Sequence, residues 1–313
     1  MIELRDLGKR FGARWALEGL DLDVPRGEIF GLLGHNGAGK STAIGMMLGQ
    51  VWPTTGAAKI CGHEITTHRR QALARVGAIF ETPVFYDYLS GRKNLAILSS
   101  YSAPTPARRI KEVIEWVGLT GRADSKVRTY SHGMRTRLAL AQALLPDPEL
   151  LILDEPSDGL DPEGIHEMRL TILRLRKELG LTILLSSHLL NEVEQLCTRI
   201  AVLNQGRKVF EGSLVEARKT QAWVRLKTAN FGDAANLLRR EQLITDARDG
   251  SRFTAAPGVG TDRIVKCLVD AGMPVFEIVQ EEETLEGFYL SLMKESRASN
   301  SAPTSGPPAL PRP

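Results

Sequence analysis

Gly34-His35-Asn36-Gly37-Ala38-Gly39-Lys40-Ser41-Thr42 is the stretch on which the fold turns. A short apolar run, Ile29–Leu33, leads into it, and a helix-like stretch from Lys40 to Leu48 leads out of it. Gly34-x-x-x-x-Gly39-Lys40-Ser41 has the spacing of a phosphate-binding loop between a strand and a helix. Its glycines let the backbone curl so that several N–H groups face phosphate oxygens. The helix start near Gly39 adds its positive end. In such a loop Lys40 reaches the β- and γ-phosphates, and the Ser41 hydroxyl ligates Mg²⁺. The competing reading is a chance match in a glycine-rich turn, and the strand before and helix after argue against it.

Working outward, residues 1–30 alternate as strands do, with Ile2, Leu4 and Leu7, then Leu20, Leu22 and Val24, and a turn at Pro25-Arg26-Gly27. Two more buried runs come later, Leu150–Leu153 and Thr182–Leu185, and helical patterns cover Arg135–Leu145 and Ile165–Leu179. Buried apolar strands alternating with helices imply an α/β domain with a mainly parallel sheet. Roughly Thr82–Asp147 holds no such run and reads as a helical insertion beside the sheet.

The pattern changes after about residue 217. Trp223–Thr228 reads as a strand, Asp233–Glu241 as a helix, Leu243–Asp246 and Arg252–Ala255 as strands, Asp262–Ala271 as a helix and Pro274–Val279 as a strand. That order, β-α-β-β-α-β, predicts a small α+β ferredoxin-like module. The expected domains are 1–216, with a helical subdomain at about 82–147, then 217–293, then a disordered Pro/Ser/Ala-rich tail over 294–313.

Bulk properties narrow the function classes. The chain has 313 residues, 42% hydrophobic and 25% charged, with a net charge of +3, so no broad basic field argues for nucleic acid. Cys61, Cys197 and Cys267 have neither a zinc nor a disulfide spacing, which fits a reducing cytosol. No run reaches the ~18 apolar residues needed to span a bilayer, and MIELRDLGKRFG lacks the apolar core of a signal peptide. A role at a membrane therefore needs another chain to supply the span.

Leu150–Leu153 ends in Asp154-Glu155. A buried strand presents its tip at the carboxyl edge of the sheet, where ligands of open α/β sheets bind. Asp154 there can hold Mg²⁺, directly or through water, and Glu155 can act as general base on the attacking water. Taken alone, strands often end in acids, and the phosphate loop is what favours the functional reading. Thr182–Leu185 ends in Ser186-Ser187-His188. His188 is either a structural histidine or a hydrogen-bond donor to the γ-phosphate.

At this point the chain resembles the ATPase subunit of an ABC transporter over about residues 1–215. The resemblance rests on GHNGAGKST, on YSHGMRTR (Tyr130–Arg137) as signature, on LLILDEP, on SDGLDP (Ser157–Pro162, with Asp161) as D-loop, and on SSH as histidine switch, all in family order. It implies a P-loop NTPase cassette that binds ATP and Mg²⁺. It further implies that Ser131 and Gly133 contact the γ-phosphate bound by a second cassette, and that Phe11, 29 residues before Lys40, stacks on adenine. The plainer alternatives are a Ser131 that only caps a helix, a Phe11 in the core, and Trp15 as the stacking ring. Three departures from the family pattern stand out. The signature reads YSHGM rather than LSGGQ, so His132 replaces a glycine and Met134 an amide. Glu81 stands where a Mg²⁺-ligating glutamine is usual, and Thr136 replaces another glutamine. YS-x-GM and the glutamate resemble the bacitracin- and lantibiotic-resistance exporter branch. The core hydrolytic residues are intact, which implies an active enzyme with a reduced rate.

The resemblance also implies partners: a second, identical cassette, and a separate permease on whose cytoplasmic membrane face the chain works. Phe85-Tyr86-Asp87-Tyr88-Leu89 is either the permease-docking segment or part of the subdomain core. The cargo implied is a drug, an antimicrobial peptide or a lipid-like compound. A non-transport ABC ATPase acting on ribosomes or DNA, and a non-hydrolytic nucleotide sensor, are the alternatives.

Overall fold

The computed structural model describes residues 1–80, 83–101, 105–219, 223–248, 250–281 and 284–300. The chain divides into two units, Met1–Gly212 and Ser213–Pro313. In the first, the order is β1 (Ile2–Phe11), β2 (Arg14–Val24), β3 (Ile29–Leu33), α1 (Lys40–Met47), β4 (Thr55–Ile60), β5 (His63–Glu64), α2 (Arg69–Leu73) and β6 (Val76–Ile79). Three helices follow: α3 (Gly91–Ser100), α4 (Ala107–Trp116) and α5 (His132–Leu144). The chain then returns to the sheet through β7 (Leu150–Asp154), α6 (Pro162–Leu179), β8 (Thr182–Ser187), α7 (Leu190–Leu196), β9 (Arg199–Asn204) and β10 (Arg207–Ser213).

Strands β3, β7 and β8 are buried from end to end. Their apolar runs, Ile29–Leu33, Leu150–Leu153 and Ile183–Leu185, need no polar alternation because both faces of their sheet are covered. The sheet order is β10-β9-β3-β8-β7-β6, and β3 pairs in parallel with both β8 and β9. Strands β1 and β2 instead alternate, because one face of their sheet meets water. Ile2 opposes Val24, Leu4 opposes Leu22 and Leu7 opposes Leu20, in a four-stranded sheet ordered β2-β1-β4-β5. All six of these side chains join one core with Ile44, Met46 and Met47 of α1 and Leu150, Ile152 and Leu184 of the parallel sheet. Helix α1 thus lies between two sheets, which explains why it has no polar face. Gly45 lets Val51 close on it, since a Cβ there would sit 2.9 Å from Val51 Cγ2.

The expected helical insertion is present as α3, α4 and α5. The buried Asn94 side chain accepts from Tyr86 N–H at 2.8 Å and donates to Tyr86 O and Ser90 O, fixing the aromatic segment before α3. That segment corrects the sequence reading in part. Phe85 is buried, while Tyr86 and Tyr88 are exposed and meet edge to face at 6.1 Å.

The second unit holds α8 (Leu214–Lys219), β11 (Trp223–Thr228), α9 (Phe231–Arg240), β12 (Ile244–Arg248), β13 (Arg252–Ala255), α10 (Thr261–Asp270), β14 (Val275–Glu281) and α11 (Leu285–Asn300). Its sheet is ordered β12-β13-β11-β14, with every pair antiparallel. Helices α9 and α10 each join strands that flank a third, which is the split βαβ connectivity. Val224, Leu226, Leu238, Phe253, Ile264 and Leu268 form its core. Two expectations shift. The second unit starts at Ser213, a few residues early, because α8 belongs with it. Residues 294–300, expected in the tail, complete α11, and the rest of that tail lies outside the described residues. Among the described residues no helix is long and apolar enough to cross a membrane.

Candidate functional site

The parallel register brings three strand tips level: Leu33 pairs with Ser187, and Asp154 with Ser186. Whatever follows each tip therefore meets at one edge. Beyond β3 lies the glycine loop, beyond β7 lies Glu155, and beyond β8 lies His188.

The loop bends where only glycine fits. Gly39, the residue before α1, has φ 109°, and a Cβ on it would stand 2.7 Å from Ala16 O. Ala38 is buried beneath the loop, while His35, Asn36 and Gly37 are exposed on it. His35 Nε2 lies 3.1 Å from Asn204 Oδ1, which ties the loop to the end of β9. Lys40 is only 5% exposed. Its ammonium has three donors, directed to Gly34 O at 2.7 Å, His35 O at 3.5 Å and Glu155 Oε1 at 3.0 Å. A buried ammonium without acceptors would be strongly destabilising, so the loop carbonyls and Glu155 hold Lys40 at the loop's centre.

Glu155 has φ 49°, a left-handed conformation that is costly for a side-chain-bearing residue and recurs at functional sites. The turn separates the two neighbouring carboxylates. Asp154 stays at the strand tip, where the Ser186 hydroxyl donates to its Oδ1 at 2.5 Å. The Glu155 N–H donates to the same hydroxyl at 2.9 Å. The Glu155 carboxylate faces Lys40 on one side. On the other, His188 Nδ1 donates to Glu155 Oε2 at 2.8 Å, and the His188 N–H donates at 3.3 Å. A carboxylate only accepts, so the proton sits on Nδ1. His188 Nε2 then donates only when the ring is doubly protonated or has turned from Glu155.

Two cavities flank this centre. One of about 960 Å³ is lined by Phe11, Arg14, Trp15 and Ala16 of the antiparallel sheet, by His35–Thr42 apart from Ala38, and by Glu155, Gln205 and Gly206. Phe11 is 55% exposed there, with the Lys9 ammonium 5.2 Å from its ring centre. The core alternative for Phe11 is thereby excluded, while Trp15 lines the same cavity. The other cavity, about 400 Å³, holds Ser41, Asp154, Glu155, His132, Thr136 and Asp158. A hydroxyl and a buried carboxylate facing one space fit Mg²⁺, which takes one or two protein oxygens and completes its shell with phosphates and water. Glu81, the third expected ligand, lies outside the described residues.

The signature occupies the start of α5. Ser131 is its N-cap and accepts from Met134 N–H at 3.2 Å, and Gly133 lies in the first turn. The capping role is therefore real, and the exposed Ser131 remains open to a ligand as well. Tyr130, just before it, donates to Arg122 O at 2.7 Å, and burial pushes its phenol pKa up, so it stays a neutral donor. Asp161 caps α6, accepting from Gly164 N–H at 2.9 Å. Ser186, Gln205 and Gly206 were not singled out from the sequence. Ser186 had a signal in its place at an apolar strand's tip, whereas Gln205-Gly206 reads only as a turn.

The sequence profile of the ABC transporter family matches residues 17–158. The bacitracin transport ATP-binding protein BcrA of Bacillus licheniformis is 36% identical over 297 residues, 94% of this chain and 97% of that protein. The Nod factor export ATP-binding protein I of Burkholderia lata is 41% identical over 217 residues, 68% of this chain and 70% of that protein. A solved ATP-binding subunit of an ABC transporter superposes with TM-score 0.62 at 32% identity, covering 70% of this chain and 92% of that one. Agreement at this level over nearly the whole of both chains means that the protein belongs to the ABC transporter family, as an ATP-binding subunit that hydrolyses ATP.

Proposed function

We propose that two copies of this chain close on ATP and drive a separate membrane permease that exports its cargo. The observation that carries the reading is Glu155, held between Lys40 at 3.0 Å and His188 at 2.8 Å beside the glycine loop. Triphosphate entering the loop competes for Lys40, because its charge exceeds that of one carboxylate. Glu155 is then released to accept a proton from a water attacking the γ-phosphorus, and the bond to the ADP oxygen breaks. Once Glu155 is released, His188 turns from it and senses the γ-phosphate by donating its Nε2–H. Ser41 and Asp154 are the Mg²⁺ ligands, with Ser186 orienting Asp154. A Mg²⁺ held by Ser41 and Asp154 would supply positive charge to offset that of the phosphates. The loop from Gly34 to Thr42 cradles the phosphates, and Phe11 stacks on adenine.

Ser131 and Gly133 complete the partner copy's site, because an exposed helix start presents free N–H groups to an anion. Asp161 shapes the turn that accompanies them. The exposed Tyr86 and Tyr88 form the permease contact, and aromatic anchors of this kind dominate interfaces. Asp87 between them pairs with Arg135 of α5 at 2.7 Å, which links that contact to the signature helix. We place the chain on the cytoplasmic membrane face, held there by the permease, with no nucleic-acid partner. The export direction and the classes of cargo rest on the bacitracin and Nod factor relatives, and the second unit serves dimer stability or regulation. The test is the ATPase rate per chain, measured against protein concentration. It rises with concentration if two chains build each site, and stays flat if one chain suffices.

A further inference from the structure

We infer that His132, the residue at which the signature departs most from its family pattern, is a positioning residue that fastens the D-loop turn to the start of α5. Its Nε2 donates to Asp158 O at 3.1 Å. A carbonyl oxygen only accepts, so Nε2 carries the proton in either charge state of the ring. The turn has room for the imidazole because residue 159 is glycine. Gly159 has φ 69°, and a Cβ on it would stand 3.2 Å from His132 Nε2. On the other side of the same residue, Asp158 N–H donates to Glu155 O at 3.1 Å. The backbone of one residue, Asp158, thus connects the backbone of Glu155 to the side chain of His132, next to Ser131. The connection is internal to one chain, and a glycine at position 132 has no side chain with which to make it.

The consequence follows from the proposed two-chain site, on which this inference rests. The signature and the D-loop of one chain are both delivered to the partner's phosphates. His132 makes them one body, and its hydrogen bond to the turn keeps Glu155 of its own chain in register with that body. Loss of the bond loosens the turn without touching the glycine loop, so it slows turnover and leaves nucleotide affinity unchanged.

The experiment compares the full chain with His132→Ala and His132→Gln in steady-state ATPase assays, with nucleotide affinity read from a fluorescent ATP analogue. His132→Ala is expected to lower kcat about tenfold, below the roughly hundredfold cost of a full 1 Å misplacement, with KM and analogue Kd within about twofold of wild type. His132→Gln offers an amide donor to the same carbonyl and is expected to recover most of the loss. Alanine and glutamine are both good helix formers, so neither disturbs the first turn of α5. The inference is overturned if His132→Ala keeps the wild-type kcat, if His132→Gln is as slow as His132→Ala, or if KM rises in step with the loss. These outcomes are read whatever the concentration dependence of the wild type. A flat wild-type dependence instead overturns the two-chain reading, so the two failures are distinct.

Discussion

The strand-tip half of the site and the signature half are built in opposite ways. Lys40, Asp154 and Ser186 are buried, and each already makes a side-chain hydrogen bond. Ser131 and His132 are exposed at the start of a helix, bound only to their own turn and to the neighbouring D-loop. The first half is preorganised by a sheet whose register fixes three tips at one level. The second is presented to the outside. On the proposed two-chain reading, the contrast makes nucleotide capture and nucleotide hydrolysis separable: one chain holds the parts for the first and shares the parts for the second.

The largest effect that would break the preorganised half is expected from Lys40→Ala. It removes the only buried cation among the described residues of the loop, and hydrolysis should fall by about a thousandfold or more, the scale of lost charge stabilisation in phosphoryl transfer. Nucleotide binding, read by equilibrium titration, should weaken as well. A smaller effect sharpens the picture. Ser186→Ala frees Asp154 Oδ1 and the Glu155 N–H, and should reduce Mg²⁺-dependent activity about tenfold, in the range for loss of a group that orients a metal ligand. The loss should be partly recovered by raising Mg²⁺, checked by titrating the metal at fixed ATP.

The two halves also differed in how much of them the sequence exposed. Ile29–Leu33 and Leu150–Leu153 announce themselves because strands covered on both faces must be apolar throughout, and the glycine loop needs its residues at fixed offsets. β6 was missed for the opposite reason. Its Val76-Gly77-Ala78-Ile79 looks too small for a buried strand, yet Gly77 is required because α5 approaches so closely that a Cβ would stand 2.1 Å from Ala143 O. Such a constraint is tertiary and leaves no local periodicity. Phe85 is a similar case. Three aromatics within four residues read alike, and only the placement of Tyr86 by Asn94, eight residues on, decides which ring turns inward. Ser186 lay in view at a strand tip, but its partner Asp154 is 32 residues away, so its role appears only once β7 and β8 pair.

The most direct test of the shared site is the mass of Glu155→Gln in saturating ATP and Mg²⁺. Glutamine cannot take the water's proton, so ATP stays intact. A dimer near twice the 34.4 kDa chain mass is predicted by light scattering. Adding Ser131→Asp should return the mass to that of one chain. Aspartate caps a helix as well as serine does, yet its charge repels the partner's γ-phosphate. A Glu155→Gln chain that stays monomeric, or a double variant that still dimerises, would contradict the account.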